Sequence, residues 1–300
     1  MQAFDLGQAP LLRAMLLQLN QEKHILLCDM HHLISDGVSI GNLSNEFAAL
    51  YRGEELPPLQ LQYKDYAVWQ QGNFHRERLQ RQEQYWLKTL SGELPVLDLP
   101  TDYARPAVRS FEGRTHTFKV GKPASDSLRQ IAEHSGSTLY MVLLAAYTAM
   151  LAKYSRQEEI IVGTPVAGRS HAELAPLIGM FVNTLTLRSF PSSRKTFLHY
   201  LHEVKMHALE AFENQDYPYE ELIEKLNIQR DMSRNPLFDT MFALQHTEQE
   251  ATAIDGLQLK PYAIEQTTAK FDLMLTAIDS DEGIGFSFEY SSALFKPETV

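Results

Sequence analysis

Between Ile25 and Gly53 the chain changes its periodicity once, and no other stretch constrains the fold as tightly. Ile25 to Met30 is an apolar run of strand character. His31 and His32 follow it, then Leu33-Ile34-Ser35, Asp36 and Gly37. From Ile40 the apolar residues Ile40, Leu43, Phe47 and Leu50 recur at helical spacing, and Gly53 stands where such a helix ends. Two histidines therefore sit where a strand stops, and a glycine sits where the backbone turns into a helix. Loops held between rigid elements are where chemistry concentrates.

An extended backbone points neighbouring side chains to opposite faces, so one channel receives only one of the two imidazoles. His32 is the candidate, nearer the turn and four residues before Asp36, with His31 as its neighbour in the same motif. A neutral imidazole can accept a proton near neutral pH or hold a reacting amine by a hydrogen bond. Asp36 can orient that ring, or pair with an arginine and brace the loop. The Gly37 N–H, with the free N–H groups of the next helical turn, can face a developing oxyanion. Taken alone, His-His-x-x-x-Asp-Gly reads equally well as a paired structural cluster.

With 300 residues, 44% of them hydrophobic, the chain can bury substantial cores, and two lobes are expected. Its 27 basic and 38 acidic residues leave a net charge of −11, which argues against a nucleic-acid surface or an anionic-membrane binder. Cys28 is the only cysteine, so no internal disulfide is possible and a reducing cytoplasm fits. Its apolar neighbours in sequence would raise the thiol pKa, making it a poor nucleophile. Met1-Gln2-Ala3-Phe4-Asp5 has neither the basic start nor the apolar block of a signal peptide. The apolar run Leu139 to Ala152 is too short for a membrane span and reads as a buried helix.

Leu11–Leu19 and Ile25–Met30 form an expected hairpin around Asn20-Gln21-Glu22-Lys23. A helical region from Tyr63 to about Leu90 breaks near Gly72, and the proline-rich Leu94–Pro106 reads as a connector. Beyond it come a strand at Thr115–Val120, a helix at Ser127–His134 closed by Gly136, and the buried helix capped by Thr138. Ile160–Val162, Phe181–Arg188, Thr240–Gln245, Phe271–Ile278 and Ile284–Tyr290 read as strands. Phe197–Phe212 and Tyr219–Leu226 read as helices. The pattern is α+β, with sheets covered by helices.

Two motif matches fail on spacing. Gly37-Val38-Ser39-Ile40-Gly41 satisfies the G-x-S-x-G elbow of serine hydrolases, but six residues separate the strand from the first glycine. Ser39 reads instead as the N-cap of its helix. His202-Glu203-Val204-Lys205-Met206-His207 imitates a zinc-protease helix, yet its histidines are five apart rather than four.

Five blocks in order resemble the condensation domains of nonribosomal peptide synthetases, within the chloramphenicol acetyltransferase-like superfamily. They are Met30–Ser39, Tyr63–Trp69, Ile178–Arg188, Asn214–Glu220 and Arg230–Phe238. The resemblance implies two acyltransferase-like lobes in a V-shaped pseudo-dimer, with a tunnel at the histidine motif and a first lobe that lacks two upstream family motifs. On this reading residues 1–100 are a partial N-terminal lobe, 101–110 a connector and 111–300 the C-terminal lobe. The implied reaction is amide-bond formation between a donor acyl or peptidyl thioester and the α-amino group of an acceptor aminoacyl thioester. Both would arrive on the 4'-phosphopantetheine arms of carrier domains, with no cofactor bound directly, and an adenylation domain would adjoin. His32, His31, Asp36 and Gly37 would form the catalytic loop. Arg188 is the candidate partner for Asp36, and Asn183 the residue shaping the tunnel or lobe contact. Tyr63 and Trp69 read as aromatic packing, while Arg230 and Asn235 belong to a turn with local ion pairing. An epimerisation-type relative and a catalytically silent docking domain are the alternatives.

Overall fold

The computed structural model describes residues 3–246, 256–260, 262 and 266–300. It divides into two compact units. The smaller holds Met1–Glu77, Ala167–Val182 and the described part of Gln249–Ile264; the larger holds Arg78–Val166, Asn183–Glu248 and Glu265–Val300. These units cut the chain at other points than the 1–100, 101–110 and 111–300 lobes. Trp86, Leu90 and Leu97, for example, are buried in the core of the larger unit.

In the smaller unit, strands β1 (Leu12–Gln18) and β2 (His24–Met30) form the expected antiparallel hairpin, with Leu12 opposite Met30. Asn20 closes it, its Oδ1 accepting from the amides of Glu22 and Lys23. Helix α1 follows at Gly37–Tyr51 and α2 at Tyr63–Gln70, the latter opened by a reciprocal Gln62–Asp65 capping box. Leu174, Leu177 and Phe181 make a small core with Leu61 and Tyr66 packed against it.

The larger unit contains most of α3 (Asn73–Thr89) and is built on a six-stranded sheet. Its strands are β3 (Gly113–Gly121), β4 (Ile160–Val166), β5 (Asn183–Ser189), β6 (Thr240–His246), β7 (Leu273–Ser280) and β8 (Gly283–Ser291), in spatial order β3-β8-β7-β6-β4-β5. The β4–β6 and β6–β7 pairs are parallel and the rest antiparallel. Helices α4 (Lys122–His134), α5 (Leu139–Ser155), α6 (Phe197–Glu213) and α7 (Tyr219–Lys225) complete the unit. The α5 helix is apolar around most of its circumference because it is the core helix: Val142, Leu144, Ala145, Tyr147 and Leu151 are all buried. Thr138 caps it as expected, accepting from the Met141 amide. Among the described residues no single helix is long and apolar enough to cross a membrane.

Two elements are longer than the sequence patterning indicated. Helix α4 starts five residues early, at Lys122, because Pro123 sits in its first turn, where a missing N–H costs nothing. Strand β4 runs on through Gly163 and Pro165. Gly163 is required there, since a Cβ would lie 2.2 Å from the Phe238 ring. Pro165 is tolerated because β4 meets β6 only at Gly163, so that side of the ladder needs no donor from it.

Candidate active site

Strand β2 ends at Met30, so the two histidines are not presented by a continuing strand. His31 is instead the N-cap of a single 3-10 turn, His32–Ile34, and His32 is its first residue. His31 caps that turn: its Nδ1 accepts the Leu33 N–H at 3.1 Å, which places the proton of the neutral ring on Nε2. Its ring also meets Phe4 edge-on, with centroids 6.1 Å apart. His32 is exposed, and its ring makes no hydrogen bond among the described residues.

Asp36 is the anchor of the loop. It is the N-cap of α1, and the expectation that Ser39 held this position is corrected by its geometry. Oδ1 of Asp36 accepts from the Ser39 amide at 2.8 Å and Oδ2 from the Phe181 amide at 3.0 Å. Nη2 of Arg169 reaches the same two oxygens at 3.0 and 3.3 Å. The pair is enclosed, with side-chain exposures of 6% for Arg169 and 3% for Asp36. Burial alone would push this carboxyl up, but the Ser39 and Phe181 amides and the guanidinium together hold it below its ordinary range.

The arginine opposite Asp36 is thus Arg169, not Arg188. Strand β5 sets Arg188 opposite Ile161, where its guanidinium pairs with Glu159 and donates to the carbonyls of Thr89 and Ser91. Arg169 itself is held by the carbonyls of Leu174 and Leu177, at 2.6 and 2.8 Å, and lies 4.1 Å over the Phe181 ring. The one sequence signal for it was the preceding Gly168. That residue has φ +64°, and a Cβ there would stand 1.8 Å from the Phe181 carbonyl oxygen.

Ser39 is fully buried, and its hydroxyl is fully committed. It donates to the Gly179 carbonyl at 2.8 Å and accepts from the Gly179 amide at 3.0 Å and from Arg169 Nη2 at 2.9 Å. Its proton is spent on the Gly179 carbonyl and the adjoining Asp36 carboxylate is paired with Arg169, so the hydrolase elbow fails on geometry as well as spacing. Gly37 opens α1 without positive φ, and the place a Cβ would occupy is empty for 4 Å. The permissive backbone expected of this glycine is therefore not used. Open space over the first helical turn is what the glycine supplies.

Tyr63 and Trp69 belong to an aromatic packing layer. The Tyr63 hydroxyl donates to the Met180 carbonyl at 2.8 Å, and its ring meets Phe181 edge-on at 5.0 Å. Trp69 stacks on Tyr66 and meets His171 edge-on. Within the larger unit, Asn183 fastens the Asn214–Glu220 block. Its Nδ2 donates to the carbonyls of Gln215 and Tyr217, and its Oδ1 accepts from the amides of Thr184 and Tyr219. Arg230 is exposed at a cavity of about 840 Å³ that Val96, Phe111, Ile161 and Phe238 also line. The ion pairing of that block falls to Arg234, which pairs with Asp239, while Asn235 accepts from Arg109 and donates to the Lys270 carbonyl.

Cys28 is exposed rather than enclosed by apolar side chains, so the burial argument against its reactivity does not apply. On the false zinc-protease helix, His199 pairs with Glu203 at 3.2 Å and His202 is exposed. Among the described residues no three His, Cys, Asp or Glu side chains are grouped to hold a metal ion.

The family described as "Condensation domain" matches residues 1–300. Tyrocidine synthase 3 of Brevibacillus parabrevis is 56% identical over 299 residues, covering 100% of this chain and 5% of that protein. Gramicidin S synthase 2 of Brevibacillus brevis is 52% identical over 301 residues, covering 100% of this chain and 7% of that protein. The chain thus spans under a tenth of the length of either relative. Among solved structures, the X-domain from teicoplanin biosynthesis superposes with a TM-score of 0.85 at 26% identity, covering 99% of this chain and 70% of that one. A four-domain nonribosomal peptide synthetase bound to AMP and glycine gives a TM-score of 0.88 at 23% identity, covering 99% and 24%, a likeness of fold. The mixed α/β architecture, the five sequence blocks and the histidine loop agree with these matches: the chain belongs to the condensation-domain family of nonribosomal peptide synthetases.

Proposed function

We propose that this chain forms amide bonds. An acceptor aminoacyl thioester presents its α-amino group to the carbonyl of a donor acyl or peptidyl thioester, each tethered to the phosphopantetheine of a carrier domain. The amine nitrogen bonds to the donor carbonyl carbon, the tetrahedral oxyanion collapses, and the donor thiolate leaves and takes up a proton. The donor carrier is freed and the lengthened chain stays on the acceptor. Carrier domains and an adjoining adenylation domain are the partners, in a larger cytoplasmic synthetase of which this chain is one part.

One observation carries the reading: of the two histidines, His31 has spent its acceptor nitrogen on the 3-10 turn, whereas His32, the first residue of that turn, has neither ring nitrogen hydrogen-bonded among the described residues. His32 holds the attacking amine and accepts its proton. An α-amino group has a pKa of about 7.7–8.0, so part of it is already neutral near pH 7 and the larger contribution is alignment of two tethered reactants. The Gly37 N–H, at the uncovered start of α1, donates to the oxyanion. Asp36 does not touch substrate; its buried pairing with Arg169 fixes the loop that carries His32.

The test uses the synthetase module that contains this sequence, with preloaded carriers and dipeptidyl-thioester formation followed in a single turnover. His32→Ala abolishes product, and His31→Ala lowers it by no more than the loss of folded protein. Product lost with His31→Ala but formed with His32→Ala would reverse the assignment. Full activity in both variants would remove the motif from the chemistry.

A further inference from the structure

Ser39 is absorbed neither by the hydrolase motif it imitates nor by the reaction as written, yet its hydroxyl is fully committed. A serine hydroxyl offers one donor and two acceptor positions. Here all three are filled, by Gly179 O, Gly179 N and Arg169 Nη2, at 2.8, 3.0 and 2.9 Å. Two residues further on, the Phe181 amide is taken by Asp36. Asp36 and Ser39 are thus the two rungs by which the first turn of α1 holds the backbone of Gly179 and Phe181.

Arg169 couples the rungs, since its Nη2 touches both Asp36 and Ser39 while its Nη1 is tied to Leu174 and Leu177. Asp36 also caps α1. The height of the His32 loop above Gly179–Phe181 is therefore set by a guanidinium whose own position depends on the Ser39 oxygen. Without that oxygen, Arg169 Nη2 keeps only the carboxylate, and the Gly179 N–H and C=O lose their partner. The loop then gains a direction in which to shift while its ion pair stays intact.

We infer that Ser39 is a positioning residue for the condensation step: its hydroxyl locks the Arg169 guanidinium, and through it Asp36, so that His32 meets the amine at reacting distance. This rests on His32 acting as proposed above. A displacement of about 1 Å in such a site costs on the order of 100-fold in rate. Asn42 supplies the comparison. It ties the same helix to the same segment, donating to the Ala175 carbonyl at 2.7 Å and to the Leu177 carbonyl at 3.5 Å, and has no hydrogen bond to Arg169 or Asp36 among the described residues.

The experiment measures single-turnover condensation per folded molecule, with the acceptor carrier varied, in the module carrying Ser39→Ala, Ser39→Thr, Asn42→Ala or His32→Ala. Ser39→Ala lowers kcat by about 10- to 100-fold with little change in KM for the acceptor carrier. Ser39→Thr, which keeps the hydroxyl, recovers the rate to within a few-fold, and Asn42→Ala leaves the rate per folded molecule unchanged. A folded Ser39→Ala protein with parental kcat overturns the inference. So does an Asn42→Ala protein as slow as Ser39→Ala, because anchoring of the helix would then be the whole effect. Should Ser39→Ala not fold, Ser39→Cys carries the same comparison. Full rate in His32→Ala would instead sink the reading of the reaction, which keeps the two failures apart.

Discussion

Asp36→Asn separates bracing from chemistry. Asparagine still caps a helix, so the bond from the Ser39 amide can survive. The charge opposite Arg169 does not survive. The new NH2 group must also face a donor, whether it turns toward the Ser39 amide or the Phe181 amide, because both now point at carboxylate oxygens. Arg169 and Asp36 are both almost fully enclosed, and removing one partner of a buried pair costs about 3–5 kcal/mol. At 1.4 kcal/mol per factor of ten, the Ser39 and Phe181 amides should exchange with solvent about 100- to 4,000-fold faster, and these two amides report on the site directly. The urea midpoint should fall with them. A double variant, Asp36→Asn with Arg169→Met, should cost less than the sum of its parts, since the stranded charge is gone. Parental exchange at both amides together with abolished condensation would refute the bracing role and put the carboxylate in the reaction.

Acid should undo the same pair. The Asp36 carboxyl lies below its ordinary range when folded, so its contribution is complete above the unfolded value of about 3.9 and disappears as pH falls through the lower folded one. Trp69 fluorescence against pH should show that loss in the parent and not in Asp36→Asn. Gly37→Ala should leave the urea midpoint unchanged or slightly raised, because the site is helical and empty, while condensation slows as the first-turn amides are covered. Asn183→Ala orphans the Gln215 and Tyr217 carbonyls and should cost about 2 kcal/mol in thermal or urea unfolding of the larger unit. Gly168→Ala, at φ +64° and against the Phe181 carbonyl, should weaken the smaller unit more than any other glycine change near Arg169, as read by exchange at the Phe181 amide.

Periodicity made the hairpin, α1 and α5 legible, because each announces itself within about a dozen residues. Arg169 could not be found in this way. It lies 133 residues from Asp36, in a polar loop without period, and only the chain path through Ala167–Val182 brings it back to the smaller unit. Carrying over Arg188 from a family block chose an arginine whose strand position commits it to Glu159. The early start of α4 was hidden for a local reason. Lys122-Pro123-Ala124-Ser125-Asp126 has the composition of a turn, yet Ser125 is buried and its hydroxyl bonds the carbonyls of Val120 and Gly121 and the Ile284 amide.

The family blocks differ in how much hydrogen-bonding capacity they leave unspent. Asn183 has filled both its donors and its acceptor within the larger unit, so it fastens a loop and retains nothing for a substrate. Asn235 is committed at both ends of its amide. The Asp36 carboxylate and the Ser39 hydroxyl are filled by Arg169 Nη2 and the backbone of Gly179 and Phe181, while Arg169 Nε is buried without a partner among the described residues. Leaving a buried polar group unpaired costs the fold its desolvation energy, so pairing of this kind serves stability first. Chemistry needs the opposite, a polar group held in place by its neighbours but not consumed by them. Within Met30–Ser39 the His32 ring is exposed and without a hydrogen bond among the described residues, and the start of α1 at Gly37 is open, which is why we propose these two for the chemistry.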